Sequence, residues 1–246
     1  MKLFKTIFLL SACVFFFAGN AMAVPNTSLL EQQLDAIAVD HNNNIDVYTD
    51  MISDGSDSTW SITASGGSIT TFIIELAGYA GTNTFGIYDA TDSSKRVELF
   101  NGVQTVGEQA SISILADGSV KKNFVDTGID FAGNLFGYYI DARIGNQNSN
   151  AIFFSNTNLN SDHVDHMLAY QGDNIEMIQI PGYSAGLWTD SEYILAFEDL
   201  YDGGDLNFAD LVVMVESVQP VPEPATMLLL GLGLVGLAGV ARKRMA

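Results

Sequence analysis

Cysteine, proline and basic residues are scarce in this chain of 246 residues. The one cysteine, Cys13, lies near the N-terminus, so the sequence excludes an intrachain disulfide and a site built from several thiolates. Ten lysine and arginine residues stand against 29 aspartate and glutamate residues. This imbalance argues against binding to nucleic acid, because contacts to phosphate need lysine and arginine. It argues equally against binding of the folded domain to an anionic membrane.

The N-terminus has the pattern of a secretory leader. Two lysines precede the apolar stretch 7–18, and Ala21 and Ala23 have the small-x-small form of a signal-peptidase site. A signal peptide that signal peptidase removes is therefore predicted over 1–23. The alternative, a lipoprotein box at 10–13, would leave four apolar residues exposed at the new terminus.

The C-terminal end carries a long uncharged run. Residues 225–241 contain no charged side chain and are followed by a basic tail, 242–246. As a helix, this run would rise about 26 Å, close to the ~30 Å thickness of the hydrocarbon core. A transmembrane helix is predicted rather than a buried core helix, because the run is apolar all round and rich in glycine. The positive-inside rule places the basic tail in the cytoplasm and the preceding residues outside.

A proline-rich linker, 219–224, joins the rest of the chain to this helix. Within the linker, Pro222, Glu223 and Pro224 come directly before the apolar helix and the basic tail. This tripartite arrangement resembles the PEP-CTERM sorting signal of exported bacterial proteins. The resemblance implies recognition by an exosortase while the protein is anchored in the inner membrane and faces the periplasm. It also implies final placement at the cell surface or outside the cell.

One domain, 24–218, lies between the leader and the linker. Five of the basic residues fall between positions 24 and 221, and all acidic residues except Glu223 do, so this part has a net charge of about −23. Such a charge destabilises a compact state through self-repulsion, which bound cations or high salt would relieve. Without disulfides the domain depends on its hydrophobic core, and about 200 residues suffice to form one.

The domain is predicted to be all-β, as a β-sandwich (jelly-roll-like) with a short N-terminal helix over 28–37. Many short apolar runs separated by Gly, Asn, Asp and Ser indicate strands joined by turns. Long segments with helical periodicity are absent, which argues against a parallel α/β fold. The strand-like runs are 45–48, 59–63, 68–76, 84–88, 97–100, 110–115, 135–140, 151–154, 167–170, 193–197 and 211–218.

An acidic stretch with two central glycines precedes the last apolar run. Its oxygen-bearing side chains are Glu198, Asp199, Asp202, Asp205, Asn207 and Asp210. One interpretation is a site for one calcium ion, which takes six to eight oxygen ligands from flexible loops. Asp202, Asp205 and Asp210 would then be side-chain ligands, with Asn207 or a backbone carbonyl adding oxygen. The alternative is a solvated acidic hairpin whose side chains cap its own backbone amides.

Four segments resemble a family of secreted bacterial domains of unknown function. They are "ELAGYAGTNTFGIYD" (75–89), "RVELFNG" (96–102), "DHMLAYQG" (165–172) and "LAFEDLYDGGDLNFADLVVMV" (195–215). The resemblance implies a β-rich domain of surface proteins and adhesins that is linked to calcium and has no known enzymatic activity. This chain departs from the more acidic form of the loop, since no carboxylate lies between Asp205 and Asp210. One calcium ion is therefore the most that the loop predicts.

Other candidate sites have weaker patterns. His163 and His166 would share one face of a helix and bind zinc, but the surrounding sequence favours a loop that enters a strand, with His166 packed at its start. Glu75 and Glu98 are candidates for a glycosidase pair, although nothing in the sequence fixes their separation. The chain contains no GxSxG or HExxH motif and no phosphate-binding loop.

These observations predict an exported protein with a structural or adhesive role in the extracellular matrix, and not an enzyme. Its expected partners are signal peptidase, the exosortase, and exopolysaccharide or other matrix components. The first alternative is a carbohydrate-binding module for exopolysaccharide. The second is an enzyme that acts on glycans.

Overall fold

A computed structural model describes residues 28–39, 45–53, 55–65, 67–74, 81–102 and 105–222. The predicted signal peptide with Ala21 and Ala23, the predicted transmembrane helix, Glu223 and Pro224 lie outside these residues. Among the helices that the structure describes, none is long and apolar enough to cross a membrane.

The described part of the chain consists mostly of β-strands, which confirms the all-β prediction. The helices are α1 (Ser28–Ile37), as predicted, and the single turn α2 (Arg143–Asn146). Two short 3-10 turns lie at Thr157–Leu159 and Tyr201–Gly203. The strands are β1 (Trp60–Ile62), β2 (Ser68–Ile74), β3 (Thr84–Asp89), β4 (Asp92–Asn101), β5 (Gln109–Ile114), β6 (Ser119–Lys122), β7 (Val125–Asp130), β8 (Phe136–Asp141), β9 (Ile152–Phe154), β10 (Met167–Gln171), β11 (Met177–Ile178), β12 (Gly186–Leu187), β13 (Glu192–Phe197), β14 (Leu211–Glu216) and β15 (Val218–Pro220).

Two antiparallel sheets form the body of the domain. The larger sheet has the strand order β10-β13-β14-β2-β5-β6-β7, and the smaller has the order β15-β1-β8-β3-β4, with β9 added to β8. The short hairpin β11-β12 stands apart from both. The sheets share one hydrophobic core, to which the smaller sheet contributes Trp60, Phe85 and Tyr138 and the larger contributes Leu195 and Val213. This arrangement is a sandwich; the jelly-roll comparison concerns finer connectivity and stays a prediction.

Around β10, β13 and β14, the larger sheet is buried on both of its faces. Along β13, Leu195 belongs to the core between the sheets, whereas Ile194 and Ala196 belong to a second core on the opposite face. Leu30 and Leu34 of α1 cover that second core. Because both faces are covered, β13 and β14 read as continuous apolar runs instead of alternating ones.

The predicted strand over 45–48 is wrong, since this segment forms a turn. The Asp46 side chain accepts hydrogen bonds from the backbone amides of Tyr48 and Thr49, at 2.8 and 2.9 Å. Asp50 in turn accepts one from the Asp46 amide at 2.8 Å. These local bonds offer the backbone an alternative to a sheet ladder, while the apolar Val47 still packs into the second core.

The predicted strand over 211–218 is two strands that belong to different sheets. Ser217 has a left-handed backbone, with φ of 60°, and separates β14 in the larger sheet from β15 in the smaller one. Gln219 and Pro220, which the sequence assigned to the linker, lie in β15 and pair with Ser61 and Trp60. The domain therefore extends to Pro220, directly before the sorting motif.

Candidate metal centre

Three buried carboxylates meet where β13 ends and β14 begins. Glu198 and Asp199 follow the last residue of β13, and Asp210 precedes the first residue of β14. Their side chains are 0%, 2% and 6% exposed, and one ligand oxygen from each lies within 4.8 Å of the others. We call these residues the acidic triad. Among the residues that the structure describes, it is the one group of three or more metal-binding side chains with this spacing.

The strand pairing explains why the triad converges. Phe197 pairs with Leu211 at the open end of the antiparallel β13–β14 ladder. The residues that flank this pair, Glu198 and Asp210, are therefore neighbours although they are far apart along the loop. The Asp210 amide also donates to the Phe197 carbonyl at 3.2 Å, which continues the pairing by one step.

The loop between these strands folds tightly because several residues adopt a left-handed backbone. Asp202, Gly203, Leu206 and Phe208 all have positive φ. Gly204, with φ of 48° and ψ of −121°, lies against the triad: a Cβ placed on it would come within 2.6 Å of Glu198 Oε1. Glycine is needed here both for the backbone conformation and for the space beside the carboxylate.

Backbone amides anchor two of the carboxylates. Glu198 accepts hydrogen bonds from the amides of Leu200 at 3.0 Å and Asn207 at 3.2 Å. Asp210 accepts one from the Asp199 amide at 3.0 Å. These bonds fix the carboxylate positions, so the triad does not depend on a bound ion for its basic geometry.

The electrostatics of the triad are unfavourable for three negative charges. Burial raises the pKa values of Glu198, Asp199 and Asp210, and repulsion between carboxylates, including that of Asp205, raises them further. Buried like charges hold protons unless a cation replaces them. The electrostatics of the triad therefore favour either protons or a bound cation.

A fourth polar side chain enters the site from the other sheet. Asn83 immediately precedes β3, is 2% exposed, and donates from Nδ2 to Asp199 Oδ2 at 2.8 Å. Its Oδ1 is buried without a hydrogen-bond partner among the described residues. A buried amide oxygen without a partner is costly, and rotation of the amide would turn this oxygen toward the triad.

The oxygen-rich side chains predicted from the sequence fall into two sets. Glu198, Asp199 and Asp210 converge, whereas Asp202 and Asp205 are exposed and lie outside the group defined by the 4.8 Å spacing. Asn207 caps the loop, because its Oδ1 accepts a hydrogen bond from the Ala209 amide at 2.8 Å. The loop therefore has both features that the sequence suggested, a cluster of carboxylates and side chains that cap backbone amides.

Residues 131–218 match a family model described as "Domain of unknown function (DUF4114)". Residues 220–244 match the "PEP-CTERM protein-sorting motif". Comparison with curated proteins and with solved structures gives no match. The DUF4114 match contains the whole acidic triad, and the sorting motif indicates exosortase-dependent export with transient membrane anchoring. The predicted PEP-CTERM signal is thereby confirmed.

His166 contacts the loop that carries the acidic triad. Within the DUF4114 match, His166 is fully buried and stacks on Phe153, with ring centroids 3.7 Å apart. Its Nδ1 lies 3.0 Å from the Glu198 carbonyl oxygen, and its Nε2 lies 3.0 Å from Asp162 Oδ2. Burial lowers the pKa of His166, although Asp162 acts in the opposite direction. Asp162 also accepts a hydrogen bond from the Asp202 amide at 3.0 Å, so this pair positions the loop.

The weaker candidates are not assembled into sites by the described residues. His163 lies in a turn with φ of 59°, and no described group of three metal-binding side chains includes it or His166. Glu98 is exposed on β4, and Glu75 lies outside the described residues. Sequence reasoning missed Asn83, because it lies 116 positions before Asp199 and only the packing of the two sheets brings them together.

Proposed function

We propose that the described domain is the folded part of an exported surface protein with a structural or adhesive role, and that one calcium ion at the acidic triad stabilises it. The observation that carries the calcium proposal is the convergence of three buried carboxylates within 4.8 Å. Two oxygen ligands of one calcium ion lie at most about 5 Å apart, since each is about 2.3–2.6 Å from the ion, and the spacing of the triad is within this limit.

The donor set fits calcium better than the other common metals. All the ligand atoms that the triad offers are oxygens, and Asn83 Oδ1 would add a fourth. Calcium accepts irregular sets of carboxylate and amide oxygens, whereas magnesium demands a nearly ideal octahedron and keeps several waters. Zinc in structural sites prefers sulfur and nitrogen, which the triad lacks.

Burial of the triad favours a structural role for the ion. A catalytic metal needs an open coordination position that substrate or water can reach, and these side chains are at most 6% exposed. An ion here would join the ends of β13 and β14 to Asn83 in the other sheet. It would thus hold together the two halves of the sandwich at this end.

Thermal unfolding with and without calcium tests the proposal. At an affinity in the ten-micromolar range, millimolar calcium is about 100 times the dissociation constant and stabilises the folded state by about 2.7 kcal/mol. Since each kcal/mol shifts the melting temperature by about 2–4 °C, we expect a rise of roughly 5–10 °C over an EDTA-treated sample. Magnesium has a smaller effect. Sodium chloride at matched ionic strength separates site binding from general screening of the negative charge. An equal shift with sodium chloride, or none with calcium, contradicts the proposal.

A further inference from the structure

A second acidic feature lies away from the triad, in a cleft of about 700 Å³. Its walls come from the turn after α1, from the segment that follows β10, and from Trp188. Its acidic lining residues are Asp46, Asp50, Asp173 and Glu176, and none of the described residues that line it is lysine or arginine. The volume is within the range of about 300–1,000 Å³ that small-molecule sites occupy.

Two buried polar atoms in the wall of this cleft have no partner. Glu176 is 8% exposed and Trp188 is 3% exposed. Glu176 Oε1 and Trp188 Nε1 are both buried without a hydrogen-bond partner among the described residues. The two residues are adjacent, because the Trp188 amide donates to the Glu176 carbonyl oxygen at 2.8 Å. An unpaired acceptor and an unpaired donor thus lie in neighbouring residues, each at a cost that a ligand could remove.

The chemistry of this pair selects a hydroxyl group. A hydroxyl both accepts and donates hydrogen bonds, so the hydroxyl groups of one ligand can accept from Trp188 Nε1 and donate to Glu176 Oε1. The remaining acidic residues at the rim, Asp46, Asp50 and Asp173, are exposed and would attract a positive charge. A ligand that carries only one of these features would leave the other part of the cleft unused.

A single metal ion does not explain the cleft. Its carboxylates do not form a group of three within 4.8 Å, a spacing that the acidic triad alone achieves among the described residues. The negative charge is spread over the rim, which suits an ammonium group with three separate donors on a larger ligand. An anionic ligand is disfavoured, because none of the described lining residues has a basic side chain.

The geometry points to a binding site for an amino sugar, a polyhydroxylated ligand with a free ammonium group. Its hydroxyl groups pair with Trp188 and Glu176, and its ammonium group lies among the carboxylates of the rim. The site is separate from the calcium proposal and does not depend on it.

Titration calorimetry at about 0.15 M salt, where long-range charge effects are largely screened, tests the assignment with four probes. They are oligomers of glucosamine, the same oligomers with acetylated nitrogen, neutral oligomers of glucose, and spermidine. Glucosamine oligomers are expected to bind at least tenfold more tightly than the other three. Equal binding of the acetylated or neutral sugars would show that the ammonium charge does not contribute to binding. Equal binding of spermidine would show that the hydroxyl groups do not contribute to binding.

Three variants locate the binding. Glu176→Gln is expected to weaken binding of glucosamine oligomers tenfold or more. The bound ammonium group favours the ionised form of Glu176, and a hydrogen bond to a charged group exceeds the ~1.4 kcal/mol that corresponds to a tenfold change. Trp188→Phe, which keeps a ring but removes the donor, weakens it about fivefold. Glu98→Gln is the matched control, since it removes one exposed charge from β4. An equal loss in Glu98→Gln, or no binding to the wild-type protein, overturns the proposal; if Trp188→Phe fails to fold, the other two variants decide.

Discussion

At the scale of single residues, the acidic triad shows how an unfavourable cluster becomes useful. Glu198 and Asp210 are anchored by backbone amides and face each other in a buried site. After burial, repulsion from Asp210 raises the pKa of Glu198, and repulsion from Asp199 raises the pKa of Asp210. The same repulsion gives a cation more to stabilise than it would find among exposed carboxylates.

Asp210→Asn separates the effect of repulsion between the carboxylates from the effect of calcium binding. The amide oxygen of asparagine can still accept the bond from the Asp199 amide, whereas one negative charge is lost. We expect the metal-free variant to melt at or above the wild-type temperature, and calcium to raise its melting temperature by no more than about 2 °C. Differential scanning calorimetry with EDTA and with calcium measures both quantities.

Asp205→Asn is the control for this variant. Asp205 is exposed and lies outside the triad, so most of the calcium shift should remain. If Asp205→Asn loses the shift and Asp210→Asn keeps it, the ion binds on the outer face of the loop and not at the triad.

Glu176 gives a prediction for pH dependence. Burial raises its pKa to about 7, and Asp173, Asp50 and Asp35 add to the effect. A raised pKa in the folded state means that its contribution to stability is full below the ordinary glutamate pKa and is lost as the pH rises through about 7. The stability of Glu176→Gln relative to the wild type should therefore increase as the pH rises from 5 to 8. These two values lie about two units below and about one unit above that pKa. Melting curves of both proteins across this range, with Glu98→Gln as the control, check the slope.

At the scale of secondary-structure elements, the loop between β13 and β14 depends on Gly204. An added Cβ would lie 2.4 Å from Leu200 Cβ and 2.6 Å from Glu198 Oε1. Gly128 offers a matched comparison, because it also has positive φ, 70°, but a Cβ there would meet nothing within 4 Å. The difference between the two alanine variants isolates the steric effect on the site.

Both variants carry the cost of a side chain at positive φ, roughly 1–2 kcal/mol. Gly128→Ala should therefore lower the melting temperature by about 2–8 °C and leave the calcium shift unchanged. Gly204→Ala should lower it further and abolish the shift, since Glu198 must move. Equal behaviour of the two variants in thermal unfolding would show that Gly204 serves the turn alone.

The elements differ in how far the sequence predicted them. The helix over 28–37 was predicted from the capping-box spacing of Ser28 and Glu31, and the structure has it with the same bounds. The hairpin of β6 and β7 was missed, since its turn residues Asn123 and Phe124 both adopt positive φ and phenylalanine gives no signal for that conformation. The acidic stretch marked the right loop, but its ligands could not be chosen from spacing. Register places Glu198 opposite Asp210, and the packing of the sheets brings in Asn83.

At the scale of the whole molecule, export and folding meet at one short junction. The last strand, β15, ends at Pro220, and the Val221 amide still donates to the Thr59 carbonyl at 2.7 Å. Pro222, the first residue of the predicted Pro-Glu-Pro motif, follows at once and is exposed. The sorting signal is thus attached to the folded domain without a flexible spacer in between.

Replacing Pro222 and Pro224 with alanine tests whether the motif is read. We expect the double variant to stay uncleaved in the membrane fraction, whereas the wild-type protein is processed. Fractionation followed by mass spectrometry of the C-terminus measures the outcome. Pro220→Ala, which lies in β15 outside the Pro-Glu-Pro tripeptide, should be processed normally. Normal processing of the double variant would exclude a role for the two prolines.

The switch of the chain between sheets at Ser217 has a mechanical consequence. Among the described strands, β15 pairs with β1 alone and forms an edge of its sheet. β14, on the other side of Ser217, lies between two strands of the larger sheet. Tension applied through an anchored C-terminus would open the Val221–Thr59 bond first and then peel β15 from its free end, one bond at a time. Each released residue would lengthen the tether by about 3.4 Å. β15 would therefore detach and extend under load first. Only then would force reach β14 and the other strands that hold the acidic triad.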